Sequence, residues 1–163
     1  MARPSRAPKR RDCHERALGL LAVRPRSRRE LERRLLQAGF DAAEVDGVLG
    51  RLEAVSLIDD EAFARSVAEH AFGSRKEAPR AVARRLALAG VDRNTAEAAL
   101  GDLAGGEEER AEDLATQRAN RLRSVAPAVA YRRLCDLLIR RGYGADVARR
   151  VATRVLAAED FEA

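Results

Sequence analysis

Histidine and cysteine are the residues most able to make a small protein a catalyst or a metal centre, and this chain holds His14, His70, Cys13 and Cys135. A His-assisted nucleophile needs its base and an orienting group within hydrogen-bond reach. His14 and His70 stand far apart in the chain, each in an ordinary helical pattern, and read as solvated helix residues. Cys13 reads as a near-terminal thiol, and Cys135 as a small, partly buried side chain beside Leu134. Neither the spacing of a zinc site nor a disulfide framework is present. Gly105-Gly106 lacks the Lys and the spacing of a phosphate-binding loop. The runs Asp59-Asp60 and Glu107-Glu108-Glu109 precede helical patterns, where carboxylates favour the positive end of the helix dipole, and no third ligand converges on them. The expectation is a protein that is not an enzyme and takes no cofactor or metal.

The chemistry that remains is recognition by arginine, of which there are 29 against two lysines. Arg29, Arg80 and Arg132 each stand ten residues before a glycine, at Gly39, Gly90 and Gly142. Six residues before the glycine come Arg33, Arg84 and then Asp136, the third case carrying Arg133, Arg140 and Arg141 instead. Like charges at i,i+4 are slightly destabilising, so pairing within one helix does not explain the pattern. Guanidinium makes bidentate contacts with phosphate and carboxylate alike. Together with their neighbours Arg28, Arg34 and Arg85, these residues are the candidate contacts to a nucleic acid or an acidic protein surface.

The elements that must carry this row follow from the same glycines, which mark a repeat of 51 to 52 residues. Leu31, Val82 and Leu134 lie eight before them; Leu35, Leu86 and Leu138 four before; Phe40, Val91 and Tyr143 one after. Val48, Ala99 and Val151 follow at nine, and Leu52, Leu103 and Val155 at thirteen. Four-residue steps of apolar side chains make one buried helix face, and a glycine in the left-handed region closes such a helix. The arginine positions lie about 200° around the helix from the apolar ones, so the row is expected to face solvent or a partner.

Each glycine thus separates two helices, the second opening on Asp41, Asp92, or Gly144 or Asp146. A further amphipathic segment precedes each pair, at 12–23, 60–72 and 107–122, and Ser27, Pro79, Ser124 and Pro127 signal the joints. The reading is all-α: an elongated, curved array of three tandem three-helix repeats at 12–58, 59–104 and 105–163, about nine helices, after a basic arm at 1–11.

Charge divides along the same lines. The net +5 resides in the arm, while the three repeats contribute 0, −1 and +1, so the body is neutral and DNA attraction is expected partly through the arm. There is no apolar leader and no membrane-spanning stretch, and with so little cysteine the chain is expected to be cytoplasmic and monomeric.

One junction is more specific. Arg24 to Leu31 read RPRSRREL, followed by Gly39-Phe40 and by Ile58-Asp59-Asp60-Glu61-Ala62-Phe63-Ala64, after the leucine-rich ALGLL at 17–21. In this order the motifs resemble the RecX family, whose signature falls here on Ile58, Asp59, Asp60, Phe63 and Ala64. LALAGV (86–91) and LLIRRGYG (137–144) continue the likeness, which covers residues 12–158. Two positions depart: Ser56 stands where members commonly carry Gly, and Glu77-Ala78 replace a basic-glycine step. The resemblance implies a negative modulator of the RecA recombinase, lodged on the RecA–DNA filament and reducing ATP hydrolysis, strand exchange and co-protease activity. The alternative is a stand-alone DNA-binding protein of helix-turn-helix type, although no helix start clusters Asn, Gln or Arg as a recognition helix would.

Overall fold

The computed structural model describes residues 12–101 and 105–159; the basic arm and Leu103 lie outside the described residues. Nine helices and no strand are found among them: α1 (Cys13–Val23), α2 (Arg28–Gln37), α3 (Ala42–Ala54), α4 (Asp60–Gly73), α5 (Pro79–Ala89), α6 (Arg93–Gly101), α7 (Glu107–Ala119), α8 (Pro127–Arg140) and α9 (Ala145–Glu159). The all-α expectation holds.

Short polar side chains start these helices by taking up backbone N–H groups that have no intrahelical acceptor. Asp12 Oδ1 accepts from the Glu15 amide at 2.7 Å, Ser27 Oγ from Glu30 at 3.1 Å, and Asp41 Oδ2 from Ala43 at 2.9 Å. Asp59 caps α4 through the Ala62 amide at 2.8 Å, and Asp92 caps α6 through Thr95 at 3.0 Å. Prolines 79 and 127 open α5 and α8, where a missing N–H costs nothing. Gly39, Gly90 and Gly142 close α2, α5 and α8 with φ of 87°, 82° and 94°. The Phe40 amide then reaches back to Leu35 O at 3.3 Å and that of Tyr143 to Leu138 O at 3.0 Å, as a left-handed cap requires.

The repeat register appears directly in the burial. Leu31, Leu35, Val82, Leu86, Leu134 and Leu138 are all fully buried. Such side chains contribute roughly 1.5–3 kcal/mol each on leaving water. At the later offsets Val48, Leu52, Val91, Tyr143, Val151 and Val155 are buried, whereas Phe40 and Ala99 are half-buried.

Two compact units divide the chain. Residues up to Phe63 together with Ala89–Val91 form the first, and Ala64–Leu88 with Asp92 onwards the second. In the first unit α1, α2 and α3 enclose Cys13, Ala17, Leu31, Leu35, Val45, Val48, Leu49, Leu52 and Ile58. Cys13 is therefore no mere near-terminal thiol: it opens α1 on the inward face and is fully buried, with desolvation pushing its pKa up. The core of the second unit sets Ala111, Ala115 and Ala119 of α7 against Ala148, Val151 and Ala152 of α9 and Leu134 and Leu138 of α8. Alanine at four-residue steps lets helix backbones approach closely, which is why α7 reads as only weakly apolar yet packs inward.

Helix α8 differs from its counterparts in one respect. Both α2 and α5 begin eleven residues before their closing glycine, but α8 begins at Pro127, fifteen before Gly142, one turn earlier.

Candidate functional site

The candidate residues fall into two groups once their partners are known, those spent on holding the chain together and those left for something else. The first group centres on the basic joint before α2. Glu30 is buried beneath three guanidinium groups: Arg24 Nη2 at 2.5 Å, Arg34 Nε at 3.1 Å, and Arg26 Nη1. Arg26 is itself buried and donates from Nε to Leu20 O at 3.1 Å. Burial alone would raise the Glu30 pKa, but the hydrogen bonds from Arg24 and Arg34 outweigh it and hold the carboxyl below its ordinary value. Arg28 lies between Asp46 at 2.6 Å and Glu53 at 2.9 Å, while its backbone amide donates to Asp60 Oδ1 at 2.8 Å. The signature residues thus have visible structural tasks: Ile58 and Ala64 are buried, Phe63 is half-buried, Asp59 caps α4, and Asp60 reaches across to cap α2.

Arg29 and Arg80 belong to this structural group too, which the sequence did not indicate. Within the first unit the stem of Arg29 lies on Gly90, where an added Cβ would come within 2.5 Å of Arg29 Cδ. Ser27 Oγ meanwhile donates to Ala89 O. The second unit repeats the joint with other atoms: the Ala78 amide donates to Arg141 O at 3.0 Å, Arg80 donates from Nε to Gly142 O, and its Nη2 reaches Tyr143 O at 2.5 Å. A Cβ on Gly142 would stand 2.6 Å from that of Ala81. The turn is further held by the Tyr143 hydroxyl, which donates to Lys76 O at 2.6 Å, and by Arg141 Nη1, which donates to Arg75 O. Burial pushes the Tyr143 phenol up to about 12. The recurrence of arginine ten residues before each glycine is thus accounted for twice by a joint: the head of one middle helix holds the glycine turn that ends the next. Both side chains keep an exposed surface, but they do not simply face solvent or a partner. Arg85 is likewise engaged, pairing with the buried Glu77, which also faces Arg75 at 3.6 Å.

Of the two departures from the signature, Ser56 falls on left-handed backbone, whereas at Glu77-Ala78 it is the preceding Lys76 that does. Ser56 closes α3 at φ 56° and Lys76 precedes Glu77 at φ 50°, both in the left-handed region that favours glycine.

Left over are Arg33, Arg84, Arg132, Arg133 and Arg140, all exposed and joined by no ion pair to a carboxylate among the described residues. Arg133 and Arg140 come together, two turns apart on one face of α8, with the half-buried Arg141 beyond. Facing them are Arg118 on the last turn of α7 and Arg121 just after it, and the two faces bound a groove of about 550 Å³ floored by Leu114 and Leu137. Five guanidinium groups against the single carboxylate of Asp136 leave this groove strongly positive. Sequence reading missed Arg118 and Arg121 because they carry no repeat counterpart. Their three-residue spacing at a helix end, on the side facing α8, is the signal that could have found them. Arg132 points to another face of α8, and Arg33 and Arg84 lie on α2 and α5.

Among the described residues no three of His, Cys, Asp or Glu gather to hold a metal, and no helix is long and apolar enough to cross a membrane.

Known proteins share both the sequence and the architecture. Family models described as the first, second and third three-helix domains of RecX match residues 13–52, 59–100 and 106–152. The chain is 37% identical over 162 residues to the regulatory protein RecX of Mycobacterium sp. (strain KMS), covering 96% of this chain and 88% of that one. To the RecX of Mycobacterium ulcerans (strain Agy99) it is 38% identical over 160 residues, covering 96% and 92%. In fold it is similar to the crystal structure of RecX from Lactobacillus salivarius, with a TM-score of 0.70 at 22% identity over 88% of this chain and 94% of that one. With three matched domains spanning most of its length and relatives at 37–38% identity over most of both chains, the chain belongs to the RecX family, whose named members are regulatory proteins.

Proposed function

We propose that this chain regulates the RecA recombinase: it binds the RecA–DNA filament in the cytoplasm as a monomer, with no catalysis of its own, and lowers ATP hydrolysis, strand exchange and co-protease activity. Family membership supports the regulatory half of this reading. The observation that carries the binding half is the set of exposed arginines left without a carboxylate partner among the described residues. Arg33 on α2 and Arg84 on α5 stand six residues before their closing glycines, and Arg132 on α8 stands ten before its own, where Asp136 occupies the six-residue offset. An unpaired guanidinium gains most from a partner that offers carboxylate or phosphate, and a nucleoprotein filament offers both. The basic arm adds sequence-independent attraction to DNA phosphates.

The test replaces Arg33, Arg84 and Arg132 together by Glu and measures RecA ATP hydrolysis and strand exchange. Inhibition is expected to fall at least tenfold in potency while the helical signal and melting temperature stay those of the parent. Full inhibition by the folded triple variant overturns the assignment of these residues. A parent protein that binds DNA but leaves RecA activity unaltered points instead to the stand-alone DNA-binding reading.

A further inference from the structure

The groove between α7 and α8 contains more unbalanced positive charge than the joints need, and we infer that it is a binding site for the phosphodiester backbone of a single-stranded DNA. The groove lies wholly within the second unit. Its two walls are each one helix face: Leu114, Gln117, Arg118 and Arg121 on the α7 side, and Arg133, Asp136, Leu137 and Arg140 on the α8 side. No ion pair joins Arg118, Arg121, Arg133 or Arg140 to a carboxylate among the described residues, and Asp136 is the one acid in the groove lining. On the opposite flank of α7, Glu108 and Glu112 are paired instead with Arg150 and Arg154 of α9. Asp113 of α7 is paired elsewhere too, with Lys76 at 3.3 Å, while Arg118 on the same helix faces the groove with no carboxylate partner among the described residues. The ion-paired carboxylates of α7 are thus spent away from the groove, which leaves Asp136 alone to offset its arginines.

Size and lining identify the occupant. About 550 Å³ takes one or two nucleotides and excludes a duplex, whose width exceeds any such groove. Unpaired guanidinium groups on both walls can meet successive phosphates of a strand running between them, each bidentately. The apolar floor of Leu114 and Leu137 suits a base or sugar face, and Arg planes can stack on bases, without aromatic side chains that would hold them more tightly. Gln117 and Asp136 supply one amide and one acceptor, too few to read a sequence. The site is therefore one for a strand of any sequence.

This inference rests on the reading of the protein as one that acts at DNA, yet the two can fail separately, because the test contains no recombinase. Binding of a short fluorescein-labelled oligothymidylate to the full chain is followed by anisotropy across a salt series. Arg118→Glu with Arg133→Glu is expected to weaken binding about tenfold or more, and to lower the log–log salt slope by about 1.4, or about 0.7 for each lost phosphate contact. The control pair Arg51→Glu with Arg65→Glu makes the same change in net charge at exposed positions on α3 and α4, and is expected to stay within about twofold of the parent. Arg118→Gln with Arg133→Gln, which reverses no charge, serves as the second variant and should lose roughly half as much in logarithmic terms. The inference is overturned if the groove and control pairs weaken binding equally. It is overturned also if a duplex of the same length binds as tightly as the strand and suffers the same loss, or if polyglutamate displaces the strand at matched charge concentration.

Discussion

The Arg80 guanidinium reaches from the first turn of α5 to the Tyr143 carbonyl, 2.5 Å away, and binds the Gly142 carbonyl as well. Both carbonyls lie in the turn just past the end of α8, outside the helix ladder, and a guanidinium there supplies their hydrogen bonds and sits near the negative end of the α8 dipole. Arg80→Ala is expected to destabilise the protein by about 1 kcal/mol, the net value of charge-assisted bonds at an exposed site. Arg80→Lys should recover less than half of it, because one ammonium cannot reproduce the fork. Urea denaturation of the three proteins checks the order.

Gly142 makes the other half of that joint. Alanine here meets two separate obstacles, a φ of 94° and an Ala81 Cβ only 2.6 Å away. Gly142→Ala is expected to cost about 2–4 kcal/mol, of which the backbone part is about 1–2 kcal/mol. Adding Ala81→Gly removes the clash but not the strain. The double variant should therefore be more stable than the two single losses predict, by about 1 kcal/mol in a double-mutant cycle.

Much of the fold was legible because its strongest signals are local. Leu31, Leu35, Leu134 and Leu138 announce their burial by spacing alone, and Gly39, Gly90 and Gly142 announce a backbone that few other residues adopt. The site was less legible. Arg29, Arg33, Arg80 and Arg84 look alike on a helical wheel, yet the first and third rest on glycine turns some sixty residues further along the chain, a separation no local pattern encodes. Cys13 was misread for a similar reason: its burial depends on α2 and α3 closing over α1 and not on its nearness to the arm.

At Ser56 the left-handed backbone offers a gain in stability. The Ser56 amide donates to Glu53 O and that of Leu57 to Leu52 O, both at 2.9 Å, so the turn is well made and only the residue type strains it. Ser56→Gly relieves a cost of about 1 kcal/mol and gives part of it back through the freer unfolded chain. A net stabilisation of about 0.5 kcal/mol is expected, visible as a higher melting temperature. A lower one would show that the Ser56 side chain contributes more than its backbone costs.

Acid should act through Glu30. Its carboxyl is held below the ordinary value of 4.5, so its contribution is present in full above that pH and is lost as pH falls through the lower folded-state value. Glu30→Gln is expected to cost about 2–3 kcal/mol near neutrality, since it leaves the buried Arg26 without its counter-charge. The variant's stability should also decline less steeply than the parent's below about pH 4.5.

Alkali should act through Tyr143. With its phenol pushed up to about 12, the folded state keeps a proton that the unfolded chain releases near 10, so stability declines as pH rises between those values. Ultraviolet titration should show a late-ionising tyrosine that is absent from Tyr143→Phe. That variant also loses the bond to Lys76 O, at about 1 kcal/mol.

The extra turn at the head of α8 changes what its backbone can offer a neighbour. At α2 and α5 the residue twelve before the glycine, Ser27 or Ala78, lies at the helix mouth and bonds the next glycine turn. In α8 that residue is Ala130, and its amide is already committed to Ala126 O at 3.0 Å inside the helix. The extra turn therefore spends inside α8 the backbone donor that Ala78 lends to its joint, and the third middle helix opens on its own ladder instead of on a neighbouring turn.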